Sequence, residues 1–112
     1  MDFDANLLKG TVDPIILKLV AERAMYGYEI IKVINDRTRG AFEWKEGTLY
    51  PCLHRLECAG FIQSQWHEAE NGRKRKYYAI TRKGAGLLKE KVGEWTAFST
   101  AVHALLIVSS PA

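Results

Sequence analysis

The sequence predicts an α+β fold, mainly α with one small β-hairpin, and three observations carry the prediction. Apolar stripes at helical spacing recur three times early in the chain. A β-prone stretch interrupted by turn residues follows, and a last helix carries a seven-residue apolar repeat. At 112 residues, 47% of them hydrophobic, there is material for one modest core, whereas two domains would leave both halves too small to bury much.

Each element has its own signal. Asp13-Pro14 predicts a helix start, with the carboxylate capping free amides and proline suiting the first turn, where its missing N–H has no partner anyway. Val12, Ile15, Ile16, Leu19 and Val20 then mark one buried face, which fades near Arg23 and Ala24; a short helical turn around Ala5 to Lys9 is expected before it. After a break at Met25-Tyr26-Gly27, the stripe Tyr26, Ile30 and Ile34, flanked by Ile31 and Val33, predicts a second helix ending near Arg39-Gly40. Leu49, Cys52, Leu53 and Leu56 predict a third from about Thr48 to Ala59, closed by Gly60. Pro51 falls in its first turn and breaks nothing.

Phe61 to His67 switches to extended character, and Lys76 to Thr81 contains Tyr-Tyr-Ala-Ile, a strong strand signal. Asn71-Gly72 is the expected hairpin tip, because both residues tolerate positive φ. Thr81 is the expected N-cap of a long final helix running toward Val108, in spite of Gly84, Gly86 and Gly93, each costing roughly 1 kcal/mol against alanine. Leu88, Trp95 and Val102 repeat every seven residues, and so do Phe98 and Leu105. That seam predicts packing on a second copy of the same helix, so Leu88, Trp95, Phe98, Val102 and Leu105 are the expected dimer interface.

Three short helices followed by a hairpin form the order of a winged helix-turn-helix. Residues 1–81 are expected to form that unit and residues 82–112 a C-terminal dimerisation helix, in one compact body. In such an arrangement the third helix enters the major groove of DNA. Its apolar stripe leaves Thr48, Pro51 and Arg55 on the opposite face, flanked by Tyr50 and His54, as candidate base and phosphate contacts. The run Arg73-Lys74-Arg75-Lys76, with Arg82 and Lys83 behind it, falls on the hairpin, where a wing reaches phosphates or the minor groove. Charge asymmetry agrees: residues 1–72 hold 8 basic and 11 acidic side chains, a net of −3, and residues 73–112 hold 8 basic and 2 acidic, a net of +6.

Other classes are disfavoured. The N-terminus, Met-Asp-Phe-Asp, is no signal peptide and no run approaches about 18 apolar residues, so a cytoplasmic protein without a membrane span is expected. Cys52 and Cys58 lie on helix faces about 120° apart and are expected as reduced thiols. His54 and Cys58 have metal-compatible i, i+4 spacing, but two ligands do not make a site and His67 and His103 fall elsewhere, so no metal is expected. No phosphate loop, nucleophile elbow or paired carboxylates appear, which argues against an enzyme and against a cofactor. RNA binding is disfavoured because no stacking aromatic is evident on the sheet. The principal alternative is a winged-helix module that docks proteins, which has no need of an all-basic wing.

At these residues the chain resembles the PadR family of transcriptional regulators, particularly short members with a single C-terminal dimerisation helix. The resemblance covers about residues 8–98. It rests on Tyr26-Gly27-Tyr28-Glu29-Ile30, Gly47-Thr48-Leu49-Tyr50-Pro51, Leu53-His54-Arg55-Leu56-Glu57 with Gly60, Gly72-Arg73-Lys74-Arg75-Lys76-Tyr77-Tyr78, and Thr81-Arg82-Lys83-Gly84. It implies a dimeric repressor on a palindromic operator, released by a small molecule. By matching position it gives Tyr28, Thr48, Tyr50, Pro51, Lys76 and Tyr78 a DNA-contact or wing-positioning role. Some relatives sandwich flat apolar compounds between paired aromatics at the dimer centre, and Trp95 and Phe98 occupy the matching stretch, with Phe3, Leu8 and Met25 as further candidates. The tail from His103 to Ala112 departs from the pattern in being short and apolar, which leaves room for extra self-association.

Overall fold

The computed structural model describes Phe3 and residues 5–108. The element order is α1 (Ala5–Leu8), α2 (Val12–Glu22), β1 (Met25–Tyr26), α3 (Gly27–Arg37), α4 (Glu46–Cys58), β2 (Ile62–Glu68), β3 (Lys74–Ile80) and α5 (Arg82–Leu106). This is the expected α+β arrangement, with one strand more than the sequence announced. Met25 and Tyr26, expected as a break, pair antiparallel with Tyr78 and Tyr77, so the sheet has three strands in the order β1-β3-β2. Two residues are too few to show alternation, which is why the strand is invisible to periodicity.

Helix α2 is the centre of the core. It packs on α4, α5 and β3 and buries Ile16, Leu17, Leu19 and Val20. Leu17, absent from the predicted stripe, is fully buried because a helix covered on several sides has no solvent face at that point. Ile30 and Ile34 of α3 and Leu49, Leu53 and Leu56 of α4 close over it, as their spacing predicts. Met25, Ile62 and Tyr78 supply the sheet side, and Trp44, in the loop before α4, seals the edge. That loop is held by Asn35, whose Oδ1 accepts from the Trp44 N–H at 3.1 Å.

The predicted start of α2 needs correction. The helix begins at Val12, one residue early, and its N-cap is Thr11, whose hydroxyl donates to the Leu8 carbonyl at 2.7 Å. Asp13 does not cap; its carboxylate reaches across to α4. The hairpin is as expected in kind, and β3 starts at Lys74, so part of the basic run is strand rather than loop. At its tip the Asn71 side chain accepts from the Arg73 N–H at 3.0 Å and Gly72 sits at φ +78°, where a side chain is strained. Thr81 caps α5 as predicted, its hydroxyl accepting from the Gly84 N–H at 3.0 Å.

Only the first part of α5 lies against the body, on α2 and β3. Beyond it the apolar residues of the seven-residue repeat face water: Trp95, Phe98 and Leu105 are exposed and Val102 is half-covered, whereas Leu88, the first of the repeat, is half-covered by packing on the core. The long helix gives the chain its 65 Å axis against 30 and 20 Å for the other two. Residues 109–112, part of the unusual tail, lie outside the described residues.

Candidate nucleic-acid interface

Burial of Leu49, Leu53 and Leu56 rotates the other face of α4 outward, and Thr48, Tyr50, Pro51, His54 and Arg55 are all exposed on it. Beside them, Tyr28 stands out from the first turn of α3. The Tyr50 ring lies directly over Gly27, where a Cβ would fall on its hydroxyl and ring. Glycine at the start of α3 is therefore what lets the two helix starts approach and Tyr50 take its place.

The wing is set against α4 by Glu57. Its carboxylate accepts a hydrogen bond from the Ser64 hydroxyl on β2 and pairs with Lys76 Nζ on β3 at 3.4 Å. The Ser64 bond, reinforced by Lys76, holds the Glu57 carboxyl below the usual carboxylate range. Lys76 also stands 5.6 Å from the centre of the Tyr78 ring. Tyr78 itself is only 5% exposed, and burial pushes its phenol up. Of the two roles the resemblance implies for Tyr78, positioning the wing matches its burial; direct contact does not. Arg75 lies 4.6 Å over the Tyr26 ring, so it joins the wing to β1, while Arg73 and Lys74 are exposed. Between wing and helices runs a cleft of about 670 Å³ lined by Tyr28, Tyr50, Trp66 and the four basic residues, among others.

Arg55 is placed differently from the expectation of a free guanidinium. Its Nη1 and Nη2 donate to Asp13 Oδ2 and Oδ1 at 2.7 and 2.6 Å, a two-pronged bridge from α4 to the start of α2 that raises the guanidinium pKa further. The charge most expected to read a base is thus compensated within the chain. His54 stands with Nε2 3.6 Å from Cys58 Sγ, both cysteines are free, and among the described residues no group of three or more metal-ligating side chains assembles. Trp66, on β2, is 65% exposed; the stacking aromatic that the sequence reading did not find on the sheet is there. Asp13, Glu57, Gly27 and Trp66 are the residues sequence reasoning missed. Glu57 and Gly27 stood inside motifs already singled out, but nothing in their spacing told what they touch.

A second concavity shares no residue with the cleft. This groove, of about 630 Å³, is walled by Phe3, Leu7, Leu8, Ile15, Phe42 and Trp95 with further residues of α2, α3 and α5. Of the residues expected to line an effector cavity at a dimer centre, Phe3, Leu8 and Trp95 line this groove of the single chain. Met25 is not part of it, being buried in the core from β1, beside β3 in the sheet, and Phe98 lies outside its lining.

A family model described as the transcriptional regulator PadR-like family matches residues 16–90, most of the helical body and the whole wing. The chain belongs to this family. Among solved structures, this PadR-like chain is similar to a transcriptional regulator from Clostridium thermocellum, with a TM-score of 0.84 and 36% identity, covering 94% of this chain and 99% of that one. It is also similar to the PadR-like transcriptional regulator of Bacillus cereus, with a TM-score of 0.81 and 33% identity over 94% of this chain and 100% of that one. An uncharacterized protein of Lysinibacillus sphaericus is 43% identical over 91 residues, 81% of this chain and 84% of the relative. The PadR-like chain is accordingly a transcriptional regulator and not an enzyme. No helix among its described residues is long and apolar enough to cross a membrane.

Proposed function

We propose that this PadR-like regulator is a cytoplasmic homodimeric repressor that grips a palindromic operator through α4 and the wing and is released by a flat apolar or aromatic small molecule. The observation that carries the reading is the cleft, where the outward face of α4 and the basic β3 strand meet on one side of the molecule. Thr48, Tyr50 and Pro51 enter the major groove near the helix N-terminus, whose dipole favours phosphate. Arg73 and Lys74 neutralise phosphates, while Arg75 and Lys76 hold the wing in register and face the same backbone. His54 and Arg55 flank this contact from the next turn of α4. Pairing of two α5 helices through Leu88, Trp95, Phe98, Val102 and Leu105 covers apolar surface that a single chain leaves in water. The dyad then sets half-site centres about 34 Å apart, one turn of DNA. The effector binds at the groove that Trp95 lines, with Phe98 brought to it by the pairing of the helices.

The test is a titration of the protein against its own upstream promoter fragment and a scrambled control at two salt concentrations. Selective binding that falls steeply with salt is the expected result. Equal weak binding to both fragments would reduce the cleft to a basic surface, and no binding at either salt would favour the protein-docking alternative.

A further inference from the structure

Trp66 is paired across the ladder with Lys76 and shares a sheet face with Ser64 and Tyr78. That face turns toward α4, since Ser64 and Lys76 both meet Glu57. The indole consequently looks into the cleft, opposite Tyr28 and Tyr50 and among Arg73, Lys74 and Lys76; Glu46 is the one acid in the lining. At 65% exposure it makes little use of its apolar surface inside this chain. An uncovered apolar face set among cations complements duplex DNA, where apolar sugar edges lie between anionic phosphates.

We propose that Trp66 is a DNA contact of the wing, its indole packing on the deoxyribose edges of the minor groove next to the major groove that receives α4. It supplies a non-ionic share of the affinity that the basic run cannot. The inference rests on the reading that wing and α4 together hold a duplex.

The experiment titrates the promoter duplex, and one of its strands alone, with the wild type, Trp66→Ala, Trp66→Phe and the fourfold alanine variant of Arg73, Lys74, Arg75 and Lys76, at two salt concentrations. Far-UV circular dichroism verifies that each variant is folded. Trp66→Ala is expected to lose about tenfold in duplex affinity, the scale of burying part of an indole, with the salt dependence unchanged, and Trp66→Phe to recover most of it; the fourfold variant loses more and its salt dependence flattens. Wild-type affinity in Trp66→Ala beside a weakened fourfold variant would overturn the inference and leave the wing reading standing. Wild-type affinity in both would remove the wing and the inference together. A loss confined to the single strand would make Trp66 a platform for unpaired bases, and a loss accompanied by a flatter salt dependence would trace the effect to a displaced Lys76; either outcome overturns the proposal.

Discussion

Glycines 84 and 86 stand two residues apart in α5 and have opposite meanings. A Cβ on Gly84 would collide with the Phe61 carbonyl, whereas one on Gly86 meets nothing. The penalty for Gly84 in a helix is therefore offset by close packing against the β2 entry and not by the distant seven-residue repeat. Gly84→Ala is expected to destabilise the chain by about 1–3 kcal/mol as overpacking, and Gly86→Ala to stabilise it by up to about 1 kcal/mol through helix propensity. Chemical denaturation of the two variants checks both signs. Glu57 offers a second test at this scale. Its folded pKa is depressed by Ser64 and Lys76, so its contribution is fully present above the unfolded value of about 4.3 and is lost as pH falls through the lower folded value. The wild type should lose more stability between neutral pH and about pH 3 than Glu57→Gln does. The difference should be less than about 1 kcal/mol, because the pair with Lys76 is only partly shielded from water. Denaturant midpoints across that range measure it, and parallel curves would show that Glu57 does not sense pH through the wing.

Between elements, the bridge from Arg55 to Asp13 is the contact with the clearest functional consequence. It ties α4 to the first turn of α2, and Thr11, Pro14 and Ile15 in the same stretch line the apolar groove. The bridge is solvent-accessible, so its contribution to stability is small, on the order of 0.5–1 kcal/mol; its larger effect is to hold a cation back from DNA. Asp13→Asn is expected to release Arg55, raising operator affinity a few-fold and steepening the salt dependence by about one phosphate contact. Salt-dependent titration reads both. Unchanged affinity and slope would exclude Arg55 from the DNA contact and leave the bridge a purely structural tie. The fade of the apolar stripe near Arg23 also acquires a meaning at this scale, because Arg23 pairs with Glu29 at 2.6 Å across the turn from α2 to α3 and Glu22, at the end of α2, pairs with Arg37, at the end of α3, at 2.5 Å.

For the whole molecule, the governing fact is a long helix whose outer half carries exposed apolar residues on a body with a finished core. Leu105 and Leu106 are 84% and 76% exposed, values a stable monomer does not sustain over a contiguous patch without cost in solubility. If α5 pairs with its copy, Trp95→Ala should weaken the dimer by about tenfold or more, the effect of truncating a large interface aromatic. Sedimentation across a concentration series provides the measurement. A variant that dimerises like the wild type would move the interface away from α5. Because Trp95 also walls the groove, the same variant should respond less to an aromatic effector.

The order of helices and hairpin, the stripe of α4, the Thr81 cap and the family were all legible in the sequence, because each depends on residues within a few positions of one another. Periodicity, capping and turn chemistry are local, and a local pattern survives in one dimension. What the tertiary structure alone decided are the partners of groups far apart in the chain. Arg55 finds Asp13 across 42 positions, β1 finds β3 across more than fifty, and Phe61 meets Gly84 where strand and helix cross. Such meetings leave no repeat to read, since they depend on how α2, α4 and the sheet settle around one core. For the same reason the residue types lining the cleft were largely foreseeable, while the division of the basic side chains into paired and free ones was not.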